Sequence, residues 1–253
     1  MAIRREAHGR RALGASGPAG AAGAAALLLA PALVLTACTG GGSSAAGATA
    51  KPSSTLHDVP NGSQVKGVLL GPADLPTDYT EEPSGAQNSG GTLSAGTATV
   101  DLGSANCNTI LNTIGHTGFG EASYASDAYT PASNLGEFDE TVLEFHGADA
   151  TAFTNKLGAA LNKCSSFKAS DATGASESAS VAMTAGPRVG DESVGFTVKV
   201  VLGGQTMVMN GAAVRVGTAV AVVTDSGLQG SANHEIDLST LTGTLVQRLR
   251  GLH

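Results

Sequence analysis

The chain has 253 residues, a formal charge of −7 at pH 7, 42% hydrophobic residues, 4% aromatic residues and no Trp. That length allows one ordinary domain with a real core, built from Val, Leu, Ile, Ala and Met rather than from rings. Its acidity argues against nucleic acid and against direct docking on anionic lipid, since both select clustered Lys and Arg.

The amino-terminal segment carries Arg4, Arg5, Arg10 and Arg11, then an Ala/Leu-rich stretch with Leu27-Leu28-Leu29 and Leu33-Val34-Leu35, then small residues before Cys38. This is the order of a secretory signal, and Leu35-Thr36-Ala37-Cys38 resembles the lipobox of bacterial lipoproteins. The resemblance implies that Cys38 receives a thioether-linked diacylglycerol and, after cleavage, begins the mature chain. The competing reading is a transmembrane helix, but Pro18, Gly20, Gly23 and Pro31 interrupt the run, and a span needs about 20 predominantly apolar residues. Arg10-Arg11 ahead of a weakly hydrophobic segment also fits twin-arginine export. Residues 1–37 hold four Arg and one Glu, so their removal takes the formal charge from −7 to −10. The expected membrane contact is then the lipid alone.

Residues 38–63 comprise the lipidated Cys and a Gly/Ser/Ala-rich tether that cannot bury enough apolar surface to fold. A flexible chain of about 25 residues reaches roughly 25–30 Å. Residues 64–253 form the domain. Of the three cysteines, lipidation uses one. Cys107 and Cys164 remain, as a disulfide expected outside the cytoplasm or, in the competing reading, as two buried free thiols.

Three helices follow from apolar spacing. Ser104 caps the first, with Cys107, Ile110, Leu111 and Ile114 on one stripe and Gly115 as its stop. Asp149 caps the second, with Phe153, Leu157, Ala160, Leu161 and Cys164 facing inward. Asp237 caps the third, which buries Leu238, Leu241, Leu245, Val246 and Leu249 and carries Arg248 and Arg250 near the negative end of its dipole. Strand signals cluster between them: Phe119–Tyr129, Phe138–His146 and Ser178–Thr184. Val194–Leu202 then turns at Gly203-Gly204 into Thr206–Val216, and Gly217-Thr218 turns that into Ala219–Thr224. Hairpins with helices between the groups predict an α+β fold, a single antiparallel sheet with about three helices packed on a face, rather than a parallel βαβ fold.

The order of these segments resembles a family. Leu69-Leu70-Gly71-Pro72-Ala73-Asp74-Leu75-Pro76 opens the domain, and a Cys-bearing helix and a strand follow. An alanine-rich helix ending in Cys164 comes next, then Val189-Gly190-Asp191-Glu192-Ser193, Val214-Arg215-Val216-Gly217 and a last helix. The arrangement, over roughly Val65 to Leu252, resembles the extracellular sensor domain of actinobacterial Ser/Thr kinases of the mycobacterial H type and the lipoproteins that carry this domain without a kinase. The resemblance implies an antiparallel sheet with helices around a cleft for an unidentified ligand. Two departures stand out: the relatives' second disulfide has no counterpart, and Leu161 stands where they carry Trp.

Catalytic signatures are missing. Gly190-Asp191-Glu192-Ser193-Val194-Gly195 has the wrong spacing for a nucleophile elbow, and neither HExxH, CxxC nor a phosphate loop occurs. His57, His116, His146 and His234 are scattered, with no i, i+4 pair to hold a metal; no metal or other cofactor is expected. Asp191-Glu192 are paired carboxylates at a strand entry, where an exposed turn explains them. Met207 and Met209 share one strand face. They are core residues by default, and candidates, with Tyr124 and Tyr129, to line a ligand cleft. The expected function is a non-catalytic, lipid-anchored protein on the extracytoplasmic face of the membrane that binds a small ligand or an envelope protein. The alternatives are an exported hydrolase with an unfamiliar site and a purely structural envelope component.

Overall fold

The computed structural model describes residues 59–94, 98–133, 135–170, 176–230 and 236–253. The residues read above as a signal segment, Cys38, His57, His234 and most of the expected tether lie outside the described residues. All of these described residues belong to one compact unit, Ser54–His253, and every residue of both hydrophobic clusters lies within it.

In chain order the elements are α1 (Gly62–Lys66), β1 (Tyr79–Glu81), β2 (Gln87–Asn88), α2 (Cys107–Thr113), β3 (Ser123–Pro131), β4 (Gly136–Glu144) and α3 (Asp149–Asn162). They continue with β5 (Phe167–Ser170), β6 (Ser176–Thr184), β7 (Glu192–Leu202), β8 (Gln205–Val216), β9 (Ala219–Leu228) and α4 (Leu238–Leu252). The strands form one nine-stranded sheet in the order β1-β3-β4-β9-β8-β7-β6-β5, with β2 also on β3, and every pairing is antiparallel. The fold is α+β with a single sheet. β8 lies inside it, paired on both sides by β7 and β9.

The helices divide between the two faces instead of sharing one. On the first face, α1, the 68–75 segment and α4 (Leu241, Leu245, Val246, Leu249) cover Phe138, Val142, Val214, Ala221 and Val223. On the second, Ile110 of α2 and Phe153, Leu157 and Leu161 of α3 cover Leu143, Val198, Ala213, Val220 and Val222. The physical reason lies in β9. Ala219-Val220-Ala221-Val222-Val223 is apolar without alternation and fully buried, as a strand covered on both faces must be.

Local chemistry sets the helix ends. Asp237 accepts from the amides of Ser239 and Thr240 and caps α4. The α2 cap is Asn106, which accepts from the Thr109 amide at 2.9 Å, not Ser104, whose hydroxyl turns back to Asp101. Asp149 is the first residue of α3, and Ala148 holds the cap position without a side-chain hydrogen bond. The folded part starts earlier than residue 64: Asn61 makes a capping box with Gln64, and Ser123 Oγ donates to the Pro60 carbonyl.

Candidate functional site

Cys107 and Cys164 form a disulfide with Cα atoms 5.5 Å apart. It joins the first residue of α2 to the chain just past α3, so α2, a seven-residue helix, is held against the second face near β5. Closing a 57-residue separation restricts the unfolded chain by about 4 kcal/mol.

Between α2 and the sheet lies a pocket of about 270 Å³. Its floor is Val198 and Val200 of β7 with Met207 and Met209 of β8, and Leu111 of α2 forms a wall. The polar groups are Asn108 and Asn112 from α2 and Ser226 from β9. The two Asn are four apart and so occupy one helix face. Mostly apolar walls with a few polar groups suit a small-molecule site, and methionine floors adapt to irregular shapes.

The four cleft candidates do not all meet. Met207 and Met209 line this pocket together. Tyr124 shares their sheet face, but its register runs through Leu143 and Val220 to Arg215. That places it six residues along β8 from Met209, about 20 Å at ~3.3 Å per residue. Tyr129 lies on the opposite face, 1% exposed, with its hydroxyl between the Leu70 carbonyl (3.0 Å) and the Asp127 carboxyl (2.9 Å).

A second depression on the same face, about 440 Å³, opens beside α3. Phe153 packs edge-on against Phe119 at 5.0 Å and stacks on Phe145 at 5.2 Å, and Asp101, Asp149 and Lys156 line the same depression. Nothing in the apolar spacing of the sequence marks it, because its aromatic residues come from three separate segments.

The first face carries a buried polar network that periodicity also hides. Asp127 and Glu140 are cross-strand partners. Glu140 is fully buried, and neither oxygen has a well-formed hydrogen-bond partner. Burial pushes its carboxyl up to about 8, the Asp127 carboxylate adds to this, and the Leu70 backbone and the Arg248 guanidinium oppose it. Burial likewise raises Asp225 to about 7. Arg248 makes a two-pronged contact with Asp74 (2.8 and 2.9 Å) and donates to the Leu69 carbonyl at 2.7 Å, tying the 69–76 segment to α4. The readable clue was Phe138, Glu140, Val142 and Glu144 at period two, acids on an otherwise apolar face.

Asp191 and Glu192 each bind Arg215 at 3.0 Å, and Asp191 accepts from the Gly217 amide at 2.8 Å. The pair pins the loop before β7 to the β8–β9 turn. His116 and His146 are exposed, whereas His253 Nε2 lies 3.1 Å from the buried Glu144 carboxyl. Contact with Glu144 raises the His253 pKa against the opposing effect of burial. Among the described residues no group of three or more His, Cys, Asp and Glu is placed to hold a metal ion, and no helix is long and apolar enough to cross a membrane.

No protein-family model and no curated protein matches the chain. Among solved structures, the fold is similar to that of the extracellular domain of PknH from Mycobacterium tuberculosis, with a TM-score of 0.52 and 12% sequence identity over 77% of this chain and 99% of that one. At that identity the likeness is one of fold, and it agrees with the order of helices and strands that pointed to such a sensor domain.

Proposed function

We propose that the protein is a lipoprotein of the extracytoplasmic membrane face, anchored through Cys38, whose sensor-like domain binds a small ligand or an envelope partner without catalysing a reaction. The observation that carries this reading is the pocket between α2 and the sheet, walled by Leu111, floored by Met207 and Met209 and braced by the Cys107–Cys164 bridge. The lipobox, the acidic mature chain and the fold likeness to an extracellular domain support the location. The non-catalytic reading is supported by the fate of the most suggestive acidic pair, Asp191 and Glu192, which is spent on Arg215.

Metabolic labelling with an alkyne fatty acid, followed by membrane fractionation, tests the anchor. Wild type incorporates label and sediments with membranes, and Cys38→Ala does neither. Equal labelling of both forms, or an uncleaved amino terminus by mass spectrometry, contradicts it.

A further inference from the structure

We propose that the pocket between α2 and the sheet selects an uncharged amphiphile: one short alkyl chain ending in an ester, amide or alcohol. The inference rests on the reading of this pocket as the ligand site and adds the chemical class.

Charge is the first argument. None of the residues lining the pocket is ionisable, although the chain as a whole is acidic at −7. A cationic head would lose its hydration with no carboxylate to receive it, and an anionic head would meet a protein field of its own sign with no Lys or Arg to offset it. The depression beside α3 makes the contrast, since Asp101, Asp149 and Lys156 line that one.

The polar groups present are the second argument. Asn108 and Asn112 stand side by side on α2, and no hydrogen bond among the described residues occupies either carboxamide. Each supplies both donors and an acceptor, which matches an ester, amide or hydroxyl head rather than an ion. Size is the third. About 270 Å³ lies just under the ~300–1,000 Å³ common for small-molecule sites, room for one short chain over the Val198, Val200, Met207 and Met209 floor with the head toward the Asn pair.

The test uses the compact unit, residues 54–253, and the neutral fluorophore N-phenyl-1-naphthylamine as reporter. Mono-octanoylglycerol, octanoate and octylammonium compete for it, all below their aggregation thresholds. The expected order is mono-octanoylglycerol at least about tenfold tighter than either ion. Ala169, half-buried on β5 at the pocket, becomes a plug as Ala169→Trp, which weakens binding about tenfold or more, whereas Ala169→Ser does not. Asn112 is exposed, so Asn112→Lys folds normally and shifts preference toward octanoate. Octanoate or octylammonium binding as well as the glyceride, with Ala169→Trp still blocking, overturns the uncharged class and leaves the pocket as a ligand site. No competitor binding to folded wild type, or binding indifferent to Ala169→Trp, overturns the proposal and the pocket reading together.

Discussion

Asp127 and Glu140 stand opposite each other across β3 and β4, two buried carboxyls in register on the sheet face that α4 covers. One consequence is a stability that falls as pH rises. Glu140 moves from its ordinary 4.5 to about 8 in the folded chain, so the folded state holds that proton more tightly than the unfolded state. Its favourable contribution is complete below pH 4.5 and is lost as pH climbs through about 8. Glu140→Gln keeps the neutral shape, flattens the decline and melts higher than wild type at about pH 8.5. Asp139 and Asp225, both raised to about 7 by burial, leave a residual slope. Identical pH profiles for wild type and variant would rule this out.

Removing the disulfide has two separable effects. Cys107→Ser with Cys164→Ser lowers stability by about 4 kcal/mol on the chain-entropy estimate, read in denaturant melts. It also frees α2, whose amides over Cys107–Thr113 then exchange with deuterium faster than those of β8 and β9. Uniformly faster exchange, with α2 no different from the sheet, contradicts the role of the bridge as a local brace.

Arg248 bridges α4 to the 69–76 segment through Asp74 and the Leu69 carbonyl. The pair is partly exposed, with side chains at 35% and 20%, so solvent screening cuts its worth, and Arg248→Ala costs about 1–2 kcal/mol. Lys restores only part, because a single ammonium lacks the planar fork. Full rescue by Arg248→Lys shows that charge alone suffices.

Gly211 faces Phe196 across β7 and β8. A Cβ on Gly211 would meet the Phe196 ring at 2.3 Å, and that ring is 1% exposed with little room to withdraw. Gly211→Ala therefore destabilises by about 1–3 kcal/mol in thermal or chemical melts, and Gly211→Ala with Phe196→Leu recovers part of the loss. A neutral Gly211→Ala contradicts the packing described.

Much of this architecture is legible in the residues. The β7–β8–β9 meander shows because Gly203-Gly204 and Gly217 punctuate strongly patterned runs, with positive φ at each of these glycines. The α4 start shows because Asp237 stands at the head of the Leu238, Leu241, Leu245 stripe. Shorter pieces escape: α1, β1, β2 and β5 span five residues or fewer, α1 held by its Asn61 capping box and the three strands by pairing with longer ones rather than by pattern. The site is legible in half. Period two places Met207 and Met209 on one face, and because Tyr124 and Tyr129 are five apart on a single strand it already sends the two tyrosines to opposite faces; which of them joins the Met face depends on strand order and register. Nor can it find Asn108 and Asn112, ordinary polar residues until the disulfide sets α2 over the sheet.

Methyl NMR of selectively labelled Met residues in the 54–253 unit tests most directly whether ligands enter between α2 and the sheet. Met207 and Met209 line that pocket, and Met183 is 40% exposed on β6 outside it. On titration with mono-octanoylglycerol, the Met207 and Met209 methyl signals move together and saturate while Met183 stays in place. Stationary Met207 and Met209 signals, or equal movement of all three, contradict the account.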